Sequence, residues 1–144
     1  MRPMYETEGH LAVERSIAEK VEKAWNCTVN KMPIRLHLDY VIQRGDKAVA
    51  FCEIKTRGKT MQEVDDLGGY LIDVNKLVAA KGLYDVTGLP FVLVVGMNDG
   101  IWYTKMTEFR PDDVLVRGRK DRGDWQDVAP CGLLLSSRFK RLDV

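Results

Sequence analysis

The sequence contains few of the residues that build zinc centres or disulfide bridges. Its 144 residues include two histidines and three cysteines, and no two cysteines are close in sequence. This number and spacing favour neither a disulfide framework nor a zinc ribbon, and they exclude a histidine-rich metal centre. Any bound metal must therefore be held by carboxylates, which prefer a hard ion such as Mg²⁺ or Mn²⁺.

Long apolar segments are also absent. The longest one, residues 89–97, is interrupted by Pro90 and Gly96 and falls well short of the roughly 20 residues that span a bilayer. The N-terminal segment lacks the apolar stretch of a secretion signal. We therefore expect a cytoplasmic protein with no membrane partner. The composition, 45% hydrophobic and 30% charged, is typical of one globular domain covering residues 1–144.

The chain has no excess of charge of either sign, since its formal net charge is +1. The distribution is nevertheless uneven. Residues 31–59 carry seven basic and three acidic residues, whereas residues 61–73 carry four acidic and no basic residues. Positive charge gathered in one segment is what a phosphate-binding surface needs. The candidates in this segment for contact with a nucleic-acid backbone are Lys31, Arg35, Arg57 and Lys59.

Residues 8–25 are expected to form an amphipathic helix, because their apolar residues share one arc at about 100° per residue. The arc consists of Val13, Ile17, Ala18, Val21, Ala24 and Trp25. Glu14 breaks this pattern, since its carboxylate projects between Val21 and Trp25. A charge that points toward a core must have a partner there, because burying an unpaired charge is very costly.

A β-hairpin is expected next, with strands over residues 35–43 and 47–56 and turn-forming residues between them. The second strand alternates small apolar residues with a set that ends in Glu53 and Lys55. Because side chains alternate between the two faces of a strand, Glu53 and Lys55 must emerge on the same face.

The register of this hairpin decides whether Asp39, on the first strand, lies beside Glu53. A tight two-residue turn at Gly45 and Asp46 would place Asp39 opposite Cys52, on the wrong face. For Asp39 to face Glu53, the pairing must shift by one residue. The sequence therefore predicts either a three-residue loop or a β-bulge in this hairpin.

The rest of the chain predicts a mixed sheet with helices on both faces. The expected elements are a mobile loop at residues 58–69, a helix at residues 70–84 capped by Gly82, a buried strand at residues 91–97, a turn into a strand at residues 101–106, a loop at residues 110–127 and a last strand at residues 131–136.

Asp39, Glu53 and Lys55 together offer what phosphodiester hydrolysis needs. Two carboxylates can hold Mg²⁺, which stabilises charge on the phosphate and activates water. A lysine beside them can position that water or stabilise the developing charge. The backbone carbonyl of Ile54 is a natural further ligand. The alternative interpretation is a solvated strand face with an ordinary salt bridge.

The sequence Leu38-Asp39, followed after a turn by Glu53-Ile54-Lys55, resembles the PD-(D/E)XK nuclease superfamily. That group includes restriction endonucleases, Holliday-junction resolvases and RecB-type exonucleases. The resemblance implies an α/β fold with a restriction-endonuclease-like core of the αβββαβ type, in which a mixed central sheet is flanked by helices. Leu38 stands where the family usually has proline.

The resemblance covers residues 9–106 and implies roles for two more residues. The first helix of the family often supplies an acidic residue to the metal site, a role that Glu14 matches. The helix after the motif often carries a basic group that points at the site, and Lys76 is the best match. The implied activity is Mg²⁺-dependent cleavage of DNA that leaves a 5′-phosphate.

Other functions remain open at this stage. A DNA-binding or assembly module with the same fold and no turnover is the main alternative, although the intact trio argues against it. A nuclease that cuts RNA is a further one. Because the chain contains no helix-turn-helix or zinc module, we expect structure-directed cleavage or low sequence specificity. Cutting both strands of a duplex would need two sites, and therefore a homodimer.

Overall fold

The computed structural model describes residues 8–32, 39–107, 114–118 and 128–143. The helices within these ranges are α1 (Glu8–Trp25), α2 (Met61–Asp66) and α3 (Val74–Thr87). The strands are β1 (Thr28–Lys31), β2 (Tyr40–Arg44), β3 (Lys47–Thr56), β4 (Tyr70–Asp73), β5 (Phe91–Met97), β6 (Gly100–Lys105), β7 (Val114–Gly118), β8 (Val128–Leu134) and β9 (Lys140–Arg141). No helix in the described ranges is long and apolar enough to cross a membrane.

The main sheet has six strands in the order β1-β2-β3-β5-β6-β9. Strands β3 and β5 run parallel, from the pair Phe51 and Phe91 to the pair Thr56 and Gly96, and the other neighbours are antiparallel. Helix α1 contacts β1 and β3, and helix α3 contacts β5. This mixed sheet flanked by helices confirms the fold class that the sequence predicted.

Two apolar cores lie on opposite faces of the main sheet. On one face, Ile17 and Val21 of α1 pack with Cys52 and Ile54 of β3. On the other face, Leu77 of α3 belongs to a second cluster with the buried side chains of Phe91, Leu93 and Val95. Strand β5 is therefore buried on both sides, as its continuous apolar sequence predicted.

A second, antiparallel sheet in the order β4-β8-β7 was not expected from the sequence. Tyr70 of β4 pairs with Leu134 of β8, and Gly69 makes this approach possible. Gly69 has a φ of +135°, and a Cβ added there would lie 2.7 Å from the carbonyl oxygen of Leu134. Glycine is therefore required immediately before Tyr70.

The predictions for the first half of the chain were largely correct. Helix α1 covers residues 8–25 as expected, but Val13 is 50% exposed and Ala24 is exposed, so the buried arc is narrower than predicted. The second hairpin strand matches residues 47–56, and the first is observed from Tyr40. The earlier part of that first strand, residues 35–38, lies outside the described residues.

Three predictions for the middle of the chain were wrong. The expected loop at residues 58–69 contains α2, which begins with a capping box between Thr60 and Glu63. The expected helix at residues 70–84 begins as strand β4, because the Asp73 side chain accepts the Asn75 backbone N–H at 2.8 Å and starts α3 there. The cap is Gly88, with a φ of +72°, rather than Gly82.

The later strands were predicted in part. The turn after Met97 pairs it with Gly100 and leads into β6, as expected. The proposed last strand at residues 131–136 corresponds to β8, which begins earlier, and β9 follows it. The expected loop at residues 110–127 contains strand β7 (Val114–Gly118). The rest of that segment lies outside the described residues.

Candidate active site

The β2–β3 hairpin contains the predicted β-bulge. A two-residue turn with Gly45 at a φ of +61° pairs Arg44 with Lys47. The register then shifts between Ile42 and Gln43, so that one extra residue, Val49, is accommodated in β3. The tight turn alone would have put the two carboxylates on opposite faces. The bulge shifts the pairing register by one residue and so removes this mismatch.

Beyond the bulge, Tyr40 pairs with Cys52. Continuing the same register by one residue beyond β2 would place Asp39 opposite Glu53. Asp39 is half-buried, and its carbonyl oxygen accepts a hydrogen bond from the backbone N–H of Met32 at 2.6 Å. Burial, followed by the nearby charges of Glu53 and Asp39, raises the pKa of the Cys52 thiol. Both carboxylates therefore lie close to this residue, and its thiol stays protonated.

Glu53 is a fully buried carboxylate, with 0% of its side chain exposed. Its Oε1 lies 3.2 Å from Nζ of Lys55, and its Oε2 lies 3.2 Å from Nζ of Lys76. Among the residues that the structure describes, neither oxygen has a partner in hydrogen-bond geometry. The two ammonium groups thus balance the negative charge of Glu53. Both of its oxygens still have lone pairs that could bind a ligand.

The two lysines reach Glu53 from different elements. Lys55 lies two residues along β3, on the same face of the strand, and its side chain is 42% exposed. Lys76 lies in the first turn of α3, next to the fully buried Leu77, and its side chain is 24% exposed. Each ammonium therefore bridges the buried carboxylate and the solvent, where a charged substrate would arrive.

The donors around Glu53 suit a hard cation. Asp39 and Glu53 offer carboxylate oxygens, and those of Glu53 have no hydrogen bond to the described residues, which is the arrangement that Mg²⁺ or Mn²⁺ can complete. Within the described ranges, no three side chains of histidine, cysteine, aspartate or glutamate are grouped closely enough to hold a metal. A metal here would therefore need donors besides these two carboxylates.

Glu14 has the partners that its position in α1 required. Its Oε2 accepts a hydrogen bond from the Tyr40 hydroxyl at 2.9 Å and lies 3.7 Å from Nζ of Lys31. Lys31 Nζ also lies 4.9 Å from the centre of the Tyr40 ring. Because Tyr40 directly follows Asp39, these contacts hold Glu14 against the start of β2, one residue after Asp39.

The remaining basic candidates lie at the end of β3. The guanidinium carbon of Arg57 lies 5.1 Å from the centre of the Tyr70 ring, and its Nη1 donates to the carbonyl oxygen of Thr56 at 2.8 Å. Lys59 is exposed. Arg35 lies outside the described residues.

Sequence reasoning missed Tyr70 as a neighbour of this site. Tyr70 is only 4% exposed, and the guanidinium of Arg57 lies over its ring. The sequence pattern predicted Tyr70 as the first residue of a helix. Nothing in the neighbouring sequence indicated that its hydroxyl would differ from that of an ordinary core tyrosine. Its position follows from the pairing of β4 with β8, which joins distant parts of the chain.

Comparison with known proteins agrees with this fold. Among solved structures, a Holliday junction resolvase, Hjc of the archaeal hyperthermophile Archaeoglobus fulgidus, has a similar fold with a TM-score of 0.52. The similarity covers 69% of this chain and 76% of the resolvase at 12% sequence identity. No curated protein matches the sequence. The model of the family described as "Phage putative PDDEXK endonuclease" matches residues 1–142, and the chain therefore belongs to that family of nucleases.

Proposed function

We propose that this protein is a Mg²⁺-dependent DNA endonuclease whose active site is built around Glu53. Mn²⁺ is the alternative metal, since both ions accept oxygen ligands. The proposal is supported most directly by a single observation. Glu53 is a completely buried carboxylate that is flanked by two lysines at 3.2 Å and lacks hydrogen bonds to the described residues.

A solvated salt bridge does not explain this arrangement. Exposed ion pairs contribute little and leave both partners in water. Burying a carboxylate completely has a large desolvation cost, which two ammonium groups can offset only in part when hydrogen-bond geometry is missing. Retaining Glu53 in this position therefore suggests a ligand of high positive charge.

Asp39 and Glu53 would hold the metal, and the backbone carbonyl of Ile54 would be a further ligand. When bound, a divalent ion neutralises phosphate charge and makes water a stronger nucleophile. Lys55 orients the attacking water and stabilises negative charge that develops on the phosphate. The water oxygen bonds to phosphorus as the bond to the 3′ oxygen breaks, which leaves a 5′-phosphate and a 3′-hydroxyl.

The surrounding basic residues would bind the DNA backbone. Lys76 lies at Glu53, Arg57 follows the site at the end of β3, and Lys59 is exposed in the adjacent loop. Lys31 and Arg35 belong to the same basic segment of the sequence. Contacts of this kind fix the position of DNA without reading its bases. They fit cleavage directed by DNA structure or of low sequence specificity.

Branched DNA is a rational substrate to include because the structurally similar protein is a Holliday junction resolvase. Cutting two strands symmetrically would require two copies of the site, and we therefore propose a homodimer as the form that acts on such DNA. Size-exclusion chromatography with light scattering would test this, and a monomer with full activity on junctions would contradict it.

The activity can be tested by incubating the protein with linear, nicked, four-way-junction and single-stranded DNA, each with Mg²⁺, Mn²⁺ or a chelator. We expect cleavage that depends on the metal and is abolished in Glu53→Gln, which preserves the shape of the side chain. Matched RNA substrates should be cut more slowly. Normal cleavage by Glu53→Gln would overturn the assignment.

The same assay separates a nuclease from a DNA-binding module without turnover. Such a module would bind DNA and show no cleavage with either ion, and titration calorimetry would detect no binding of Mg²⁺ or Mn²⁺. A functional nuclease should bind the ion and lose that binding in Glu53→Gln.

A further inference from the structure

The hydroxyl of Tyr70 is a buried polar group that the site described so far does not use. The residue is 4% exposed, and within the described part of the chain the hydroxyl has no hydrogen-bond partner. Buried polar groups are nearly always paired, and leaving one unpaired is destabilising. Phenylalanine would fill the same space without that cost. The hydroxyl is therefore available to a partner outside the described residues, such as a bound ligand.

Tyr70 lies on the same side of the main sheet as Glu53. It belongs to the core cluster that includes Leu77, the neighbour of Lys76, and its ring centre lies 5.8 Å from that of Phe139. Burial is the main cause that raises the pKa of Tyr70, to about 12; Arg57 acts to lower this pKa and the charge of Glu53 to raise it. At neutral pH the hydroxyl is therefore protonated, so it can act as a hydrogen-bond donor.

The charges near Tyr70 indicate what kind of group would accept this hydrogen bond. The Arg57 guanidinium is stacked on the ring at 5.1 Å, and Lys55 and Lys76 flank Glu53 at 3.2 Å each. One cation thus lies over the Tyr70 ring, and two more flank the buried carboxylate on the same side of the sheet. A donor with no acceptor among the described residues, on the side of the sheet that carries these cations, fits an anionic ligand with several oxygens, such as a phosphate.

We propose that Tyr70 positions the nucleic-acid substrate, with its hydroxyl donating a hydrogen bond to a backbone phosphate oxygen next to Glu53. This inference rests on the proposed nuclease function and adds a residue to it. Arg57 is exposed and lies over the ring, so its guanidinium can reach the same phosphate. Tyr70 and Arg57 would then hold one phosphate between a neutral and a charged donor.

The variant Tyr70→Phe tests this directly, because it removes the hydroxyl and keeps the ring that packs against Phe139 and Arg57. We expect cleavage to slow by about 10- to 100-fold, the loss typical of one hydrogen bond to a charged group. We expect the urea midpoint of unfolding to stay the same or rise, since an unpaired buried group has been removed. The matched control is Tyr103→Phe, a half-buried tyrosine that contacts Trp25 on the opposite face of the sheet. It should cleave DNA like the wild type.

A binding measurement separates this inference from the proposed activity. Fluorescence anisotropy with labelled DNA in chelator, where no metal-dependent cleavage occurs, should show weaker binding by Tyr70→Phe than by the wild type or Tyr103→Phe. If the wild type cleaves nothing and Tyr70→Phe still binds DNA more weakly, the activity fails and the phosphate contact stands. If Tyr70→Phe cleaves and binds like the wild type, the contact is refuted. It is also refuted if activity falls together with the urea midpoint, which would indicate a structural hydroxyl.

Discussion

Lys76 places its ammonium 3.2 Å from Oε2 of Glu53, and Lys55 places its ammonium 3.2 Å from Oε1 of the same carboxylate. One carboxylate oxygen is thus contacted by a lysine of strand β3, and the other by a lysine of helix α3. These two elements are distant in sequence and meet only in the folded chain. Because Glu53 is fully buried, both contacts offset the cost of holding its carboxylate away from water. This relationship ties the stability of α3 to the chemistry of β3.

Replacing Lys76 should therefore affect both stability and activity. In Lys76→Met, Glu53 keeps one cation, and we expect the free energy of unfolding to fall by about 1–3 kcal/mol. Cleavage should fall by at least about tenfold, because a positive charge beside the phosphate is lost. Urea unfolding and cleavage rates measure the two effects.

The matched control for this change is Lys81→Met on the same helix. Lys81 is 55% exposed and pairs with the exposed Asp85 at 3.5 Å, so its removal should cost less than about 0.5 kcal/mol. Equal effects of the two substitutions would contradict a special role for Lys76.

Metal binding should stabilise the protein through Asp39 and Glu53. At a Mg²⁺ concentration about 100 times the Kd, binding to the folded state alone adds about 2.7 kcal/mol to the free energy of unfolding. We expect Glu53→Gln and Asp39→Asn to remove this gain in thermal unfolding experiments with and without Mg²⁺. Asp46→Asn, at an exposed position of the hairpin turn, is the control and should keep it. If Mg²⁺ still stabilised Glu53→Gln against thermal unfolding, the metal would have to bind at a site other than Asp39 and Glu53.

The features that the sequence predicted well are governed by local periodicity. The arc of Ile17 and Val21 defined α1, and the continuous apolar run defined β5. Parity was equally informative, since a tight turn and a shared face for Asp39 and Glu53 are incompatible without a bulge. A metal site that needs both carboxylates on one face therefore requires a bulge in this hairpin, and β3 has one at Val49.

The features that were missed depend on contacts between distant segments. The apolar spacing of Leu71, Val74 and Leu77 continues across the boundary between β4 and α3, so periodicity alone could not divide the strand from the helix. The division follows from the pairing of β4 with β8 and from the cap at Asp73. Helix α2 had a local signal, the capping box of Thr60 and Glu63, which its acidic composition obscured. The burial of the Tyr70 hydroxyl is a property of the folded chain alone.

The two glycines on either side of this boundary should respond in opposite ways to alanine. Gly69→Ala should destabilise the protein by more than about 2 kcal/mol, because the φ is +135° and a Cβ would lie 2.7 Å from Leu134 O. Gly82→Ala should stabilise it by about 0.5–1 kcal/mol, since Gly82 lies inside α3 with open space around it. Urea unfolding of both variants tests this, and a stable Gly69→Ala would argue against the close contact of β4 with β8.

The raised pKa of Tyr70 predicts a specific loss of stability at alkaline pH. An unfolded tyrosine loses its proton near pH 10, whereas the folded residue keeps it until about pH 12. Between these values the unfolded state binds fewer protons, so stability falls as the pH rises. From pH 9 to pH 11 the wild type should lose about 1 kcal/mol more than Tyr70→Phe, as measured by urea unfolding at each pH. Parallel curves for the two proteins would show that this hydroxyl ionises normally.

Glu14 offers a final test, because its contacts support two different roles. Its carboxylate accepts from Tyr40 at 2.9 Å and lies near Lys31, next to the strand that carries Asp39. Glu14→Gln keeps an acceptor for Tyr40 and removes the charge. If Glu14 supports the metal site, titration calorimetry should show a fall in Mg²⁺ affinity of about 10- to 100-fold. The control is Glu19→Gln on the exposed side of the same helix, where the side chain is 66% exposed and pairs with Arg15. Unchanged affinity in Glu14→Gln would restrict Glu14 to holding Tyr40 and Lys31 in place.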